Sequence, residues 1–186
     1  MANKVLFGFK NLYVGTYSVD PDTRAVTLGT PYHQAGAVSF SAEPQGDNYT
    51  FYADDIAYYS NYTSGTYEGD LEVAMFDDAF KTQFCGMVTL ADGGIAEIKN
   101  ATKPKIYLMA EISGDDQGRK VIFYNGSIGN ITREYSTIEE NIEVATESAP
   151  ITFTGDEDTG ITKVTYKSGD AGYATLFTNP PVPTLP

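Results

Sequence analysis

Few side chains in this 186-residue chain could do chemistry: one histidine, His33, and one thiol, Cys85. An adjacent imidazole can turn a thiol into a nucleophile, so a Cys85–His33 pair is the one catalytic couple of this kind open to the sequence. The surroundings favour packing instead. Cys85 follows Phe76, Phe80 and Phe84 at helical spacing, and a free cysteine is among the most buried residue types. His33 lies in Thr30-Pro31-Tyr32-His33-Gln34, which reads as a loop or strand edge. A single histidine cannot furnish a multi-histidine metal centre. Asp156-Glu157-Asp158-Thr159-Gly160 matches the opening of a calcium loop but lacks the later ligands, including the closing glutamate. Gly126-Ser127-Ile128-Gly129 lacks the spacing of a phosphate cradle or a nucleophile elbow and reads as a turn. Asn-x-Ser/Thr triplets at Asn48, Asn61, Asn100, Asn125 and Asn130 would accept glycans in a secreted eukaryotic chain. Without a signal peptide, and with Asn, Ser and Thr common in β-rich turns, chance accounts for them better. No catalytic residue, metal or cofactor is expected.

The charge balance narrows the partners. A net charge of -13 opposes any wrapping contact with nucleic acid, which depends on Lys and Arg neutralising phosphates. It equally opposes docking on an anionic membrane surface. One cysteine allows no intrachain disulfide. Met1 to Gly8 carries no long apolar stretch of the signal-peptide kind, and no run reaches the roughly 20 apolar residues of a membrane helix. The expectation is synthesis in the cytoplasm and a soluble chain.

The elements that must hold these residues are mostly strands. Apolar side chains alternate with polar ones at Val38 and Phe40, at Leu71, Val73 and Met75, at Ile106, Leu108, Ala110 and Ile112, at Ile151 and Phe153, and at Val164 and Tyr166. Such period-two patterns place one row on a core and the other on solvent or a partner. Turn clusters separate them at Asp20-Pro21-Asp22, Asp92-Gly93-Gly94, 114–118 and Gly155-Asp156. The period breaks once, where Phe76, Phe80 and Phe84 predict a short helix from about Asp77 to Cys85. Asp77 or Asp78 could cap its start and Gly86 end it. Too short to stand alone in water, it must lay its aromatic face on the sheets. The expected fold is mainly β, a sandwich or barrel-like domain over 1–178 with one flanking helix. A Pro-rich tail follows over 179–186, extended and without a fold of its own.

Two stretches are unusual in composition. Pro44 to Gly69 carries Tyr49, Tyr52, Tyr58, Tyr59, Tyr62 and Tyr67, with Phe51 and the acidic pair Asp54-Asp55. It reads as a long hairpin or loop protruding from the core. Its tyrosines either cover the domain's own core or form a protein–protein interface, for which tyrosine suits by offering large contact area at low entropic cost. Sugar binding is a weaker fit, because carbohydrate platforms often use Trp and the chain has none. From Glu134 to Asp158 there are eight acidic residues and no Lys or Arg.

In this order the segments resemble the major tail proteins of long-tailed phages of Gram-positive hosts, the phi13-type family. The residues that carry the resemblance are Lys4 to Tyr13, Pro31 with Gly36 to Ser41, and the tandem blocks Phe51 to Tyr59 and Tyr67 to Ala74. The helix ending Phe84-Cys85-Gly86 and the strand fragments Tyr107-Leu108-Met109 and Phe123-Tyr124-Asn125 follow. The similarity runs to about Thr154; roughly 30 residues remain, too few for the immunoglobulin-like domain some of those proteins add.

The resemblance implies a non-enzymatic virion tail subunit made in the host cytoplasm, forming stacked, hexameric rings around a conduit for DNA. Its implied partners are further copies of itself, tail-tip initiator and terminator proteins, and phage DNA that passes without specific binding. The arm Tyr49, Phe51, Tyr52, Tyr58, Tyr59, Tyr62 and Tyr67 would contact neighbouring subunits, and Asp70 and Glu72 would contribute charge to the lumen. The rival reading, a bacterial surface or sugar-binding β-sandwich, would call for an export signal or anchor.

Overall fold

The computed structural model describes residues 8–135, 137 and 145–185. The start of the family-like first segment (4–7) and much of the acidic stretch (136 and 138–144) lie outside the described residues. The chain is mainly β: β1 (Phe9–Val19), β2 (Val26–Leu28), β3 (Tyr32–Gln34), β4 (Ala37–Phe40), β5 (Glu43–Ala53), β6 (Ile56–Val73), helix α1 (Asp78–Phe84), β7 (Val88–Thr89), β8 (Ile95–Ala96), β9 (Lys105–Ile112), β10 (Lys120–Ile128), β11 (Thr132–Arg133), β12 (Glu147–Phe153) and β13 (Lys163–Tyr166). One large antiparallel sheet runs β2-β1-β9-β10-β12-β6-β4, with β3 beside β1, β5 beside β6, β11 beside β12 and β13 beside β10. The sheet curls back on itself, so that Phe9 of β1 stacks on Phe40 of β4 with ring centroids 6.1 Å apart. β7 and β8 form a separate ribbon.

The curl encloses the main core, where Leu12 and Val14, Ile106, Leu108 and Ala110 meet Leu71, Val73, Ile151 and Phe153. Helix α1 closes this core with the predicted face: Phe76, Phe80 and Phe84 are all buried. Gly86 follows at φ +69, the left-handed conformation that ends helices. The expected cap differs. Asp77 holds the N-cap position but makes no side-chain cap bond; its carboxylate accepts the Tyr32 hydroxyl at 2.9 Å instead, tying the helix entry to β3.

The alternation at 106–112 does not separate core from solvent. Tyr107 and Met109, the opposite row of β9, are also fully buried, in a second core with Tyr17, Ile122, Tyr124 and Leu176. The C-terminal segment covers this face: Leu176 is buried and Tyr124 donates its hydroxyl to the Pro181 carbonyl at 2.8 Å. Three further expectations are corrected. Val38 is exposed because a register shift between Ala37 and Ser39 breaks the phase of β4. Met75 lies beyond the end of β6 and is exposed. Gly126-Ser127-Ile128 is strand, not turn: it continues β10 after a bulge at Asn125 (φ +52), and a Cβ at Gly126 would sit 2.6 Å from the Phe153 ring.

Candidate assembly surface

The two strands of the β5–β6 hairpin leave the core together. β12 pairs with β6 only from Val73 to Tyr67; beyond that point the hairpin strands pair with each other up to Ala53 and Ile56. At roughly 3.3 Å per residue, the free part extends for about 36 Å. Asp54 and Asp55 close it with φ +52 and +60, the two positive values of a type I′ turn, whose twist matches that of the flanking strands. Aspartate tolerates this left-handed region better than most residues.

Register sorts the side chains. Phe51 opposes Tyr59 and Tyr49 opposes Asn61, so Tyr49, Phe51 and Tyr59 line one face. On the other, Thr50, Ser60 and Asn48 form a polar ladder, with Ser60 donating to Asn48 Oδ1 at 3.1 Å; Tyr62 and Tyr52 share that face. A register shift between Phe51 and Tyr52 leaves Tyr58 as the extra residue. Tyr49, Phe51, Tyr52, Tyr58, Tyr59 and Tyr62 are between 50% and 73% exposed. Tyr67 stands apart from them, half-buried with its ring 5.7 Å from Phe123 and beneath the Lys163 ammonium. Ile56 at the tip, 61% exposed, was not singled out from the sequence, although its place directly after Asp54-Asp55 marks it as tip.

Asp70 and Glu72 alternate with the core residues Leu71 and Val73, so they occupy the opposite face of β6. Glu72 accepts hydrogen bonds from Thr146 at 2.6 Å and Ser39 at 2.8 Å, which hold its carboxyl below the ordinary range, Thr146 contributing most. Asp70, Glu68 and Glu43 rim an open, polar concavity with Ser41 and Thr152.

The residues considered for chemistry fill structural roles. Cys85 is buried, and burial pushes its thiol up to about 11, far from a thiolate at neutral pH. His33 is exposed, its ring tilted against that of Tyr13 with centroids 4.8 Å apart, on the face of β1 away from the core that contains Cys85. Asp156 is buried and accepts from Tyr17 (2.7 Å) and from the Thr159 hydroxyl and amide (2.6 and 2.7 Å), while Glu157 and Asp158 turn outward to Arg24. Asn125 is buried and donates its amide to Gly155; the other four triplet asparagines are exposed. Among the described residues no three His, Cys, Asp or Glu are grouped to hold a metal ion, and no helix is long and apolar enough to cross a membrane.

Glu147 is a structural residue that no local pattern marks. It is buried on β12, accepts the Phe76 amide at 2.7 Å, and lies 3.6 Å from Lys81 and 3.4 Å from Arg133, so it fastens α1 and β11 to the sheet.

No protein-family model matches the chain, and no curated protein matches it. Solved structures do align with it. The tube terminating cap of the anti-feeding prophage aligns with a TM-score of 0.46 at 10% identity, over 90% of this chain and 95% of that one. The sheath-tube complex of an extracellular contractile injection system, PVC, in its extended state aligns at 0.47 and 9%, over 88% and 93%. A mutant of the Hcp1 protein from E. coli EAEC 042 aligns at 0.29 and 8%, over 85% and 99%.

Proposed function

We propose that this chain is a structural subunit of a phage tail tube, assembling through its β5–β6 hairpin into stacked, sixfold rings that enclose a passage for DNA. The carrying observation is the hairpin itself: six aromatic side chains, each at least half exposed, on a ribbon with no core behind it. An isolated two-stranded ribbon is marginal in water, and a contiguous exposed apolar surface marks an interaction site. A second protein surface answers both. The resemblance of Phe51 to Tyr59 and Tyr67 to Ala74 to the phi13-type major tail proteins supports the same reading. Initiator and terminator proteins would then bound the tube, and the virion tail would be its location.

On this reading the face of β6 that carries Asp70 and Glu72 contributes charge to the lumen. Electron microscopy of the purified, concentrated protein should show hollow tubes or stacked rings. A Tyr58→Ala/Tyr59→Ala variant should give an unchanged circular dichroism spectrum and no tubes. Tubes of normal length from that variant would remove the hairpin from the assembly contact.

A further inference from the structure

Asn125-Gly126 is the chain's one Asn-Gly pair. In water that dipeptide is chemically labile, because glycine has no Cβ to shield its backbone nitrogen from the asparagine side chain before it. The fold nevertheless requires both residues. Asn125 stands at φ +52 in the bulge of β10 against β9, a left-handed conformation that asparagine tolerates better than most residues. It is 6% exposed and donates Nδ2–H to the Gly155 carbonyl at 2.7 Å. An aspartate there would set a carboxylate against that carbonyl, acceptor facing acceptor, and a buried charge without a donor is costly. At the next residue a Cβ would sit 2.6 Å from the Phe153 ring, so only glycine fits.

The same contacts oppose the reaction in the folded chain. Cyclisation needs the Gly126 nitrogen to reach Asn125 Cγ. Nδ2 is tied to Gly155, and the Asn125 carbonyl accepts from the Thr154 amide at 3.1 Å and its hydroxyl at 3.2 Å. Gly126 itself is held in register between Ile106 of β9 and Phe153 of β12. The loop 154–162 that supplies these bonds is pinned in turn by the buried Asp156 and by the Tyr124 amide, which donates to the Thr162 carbonyl at 3.0 Å.

We infer that Asn125 is a site of spontaneous deamidation gated by folding, and that the modified chain is shut out of the native state. The Gly126 nitrogen gives up its proton and bonds to Asn125 Cγ, the Cγ–Nδ2 bond breaks, and ammonia leaves with that proton. Water then opens the succinimide at either carbonyl, giving aspartate or isoaspartate. Both products carry a carboxylate into the site beside Gly155. Isoaspartate also lengthens the main chain by one carbon, which breaks the register of Gly126 with both neighbouring strands. Each interval a chain spends open therefore removes it, by chemistry, from the pool that can refold.

The test incubates the full chain at mildly alkaline pH, in buffer and in guanidinium chloride, and follows Asn125 by peptide mass mapping. Asn125 should convert in denaturant and be protected in buffer by at least about tenfold. After dilution from denaturant, size-exclusion chromatography should find unmodified chains in the native peak and modified chains outside it. An Asn125→Asp variant checks the second half of the proposal without a refolding step: its denaturant midpoint should fall below that of wild type, or the chain should fail to fold. No conversion in denaturant, or equal conversion in denaturant and buffer, would overturn the gating. Modified chains or Asn125→Asp protein as stable as wild type would overturn the exclusion.

Discussion

Asp156 illustrates how one buried carboxylate ties pH to stability. Burial opposes its charge, but hydrogen bonds from the Thr159 side chain, the Tyr17 hydroxyl and nearby backbone amides outweigh that penalty and leave its pKa below the ordinary value. Burial first, and then the same carboxylate, push the Tyr17 phenol upward. A carboxyl group whose pKa is depressed by folding stabilises the native state fully above its unfolded pKa of about 4. That stabilisation is lost as pH falls through the lower folded value. Asp156→Asn should therefore be less stable than wild type at pH 7, by about 1–2 kcal/mol, with the gap narrowing on acidification below pH ~4. Urea unfolding at a series of pH values reads this directly, and two parallel curves would show that Asp156 does not titrate with folding.

At the scale of elements, helix α1 rests on its aromatic stripe. Phe80 lies 4.8 Å from Phe76, 5.1 Å from Phe84 and 6.3 Å from Tyr32 between ring centroids, and it is fully buried. Phe80→Ala should cost about 3–5 kcal/mol in denaturant midpoint, whereas Gln83→Ala on the exposed side should change it by less than about 0.5 kcal/mol. Equal losses would mean that the stripe does not carry the packing. This helix was legible in sequence because its three phenylalanines recur every four residues and nothing distant alters that period. The hairpin was legible because its tyrosines and its Asp54-Asp55 turn are adjacent along the chain. Misreadings arose where distant chain segments decide. Tyr107 and Met109 are buried because a segment some 70 residues later covers them, and no local alternation can signal a second covered face. Val38 was misjudged because a register shift in β4 changes the parity on which such patterns rest, and Gly126 because a glycine that reads as a turn residue instead makes room in a strand for the distant Phe153 ring.

At the scale of the whole molecule, the proposed assembly would give the charge of -13 a role. A conduit that bound its cargo would hold it, since each phosphate neutralised by Lys or Arg adds affinity that falls with salt. A surface of the same sign as DNA repels it, and repetition around a ring strengthens the field. On the proposed reading, Asp70 and Glu68 are the carboxylates to test, because both are exposed on the face of β6 opposite the core. Glu72 is less suitable, since its bonds to Thr146 and Ser39 make its loss a structural change as well. Asp70→Lys/Glu68→Lys should leave assembly intact while reversing the local sign. Tubes of the variant should retain short duplex DNA at low ionic strength and release it as salt rises, as counterion release requires, and virions carrying the variant should eject DNA more slowly. Wild-type tubes should retain none at any salt concentration. Identical retention and ejection by variant and wild type would show that this face does not meet the DNA, and the acidity of the chain would then need another explanation.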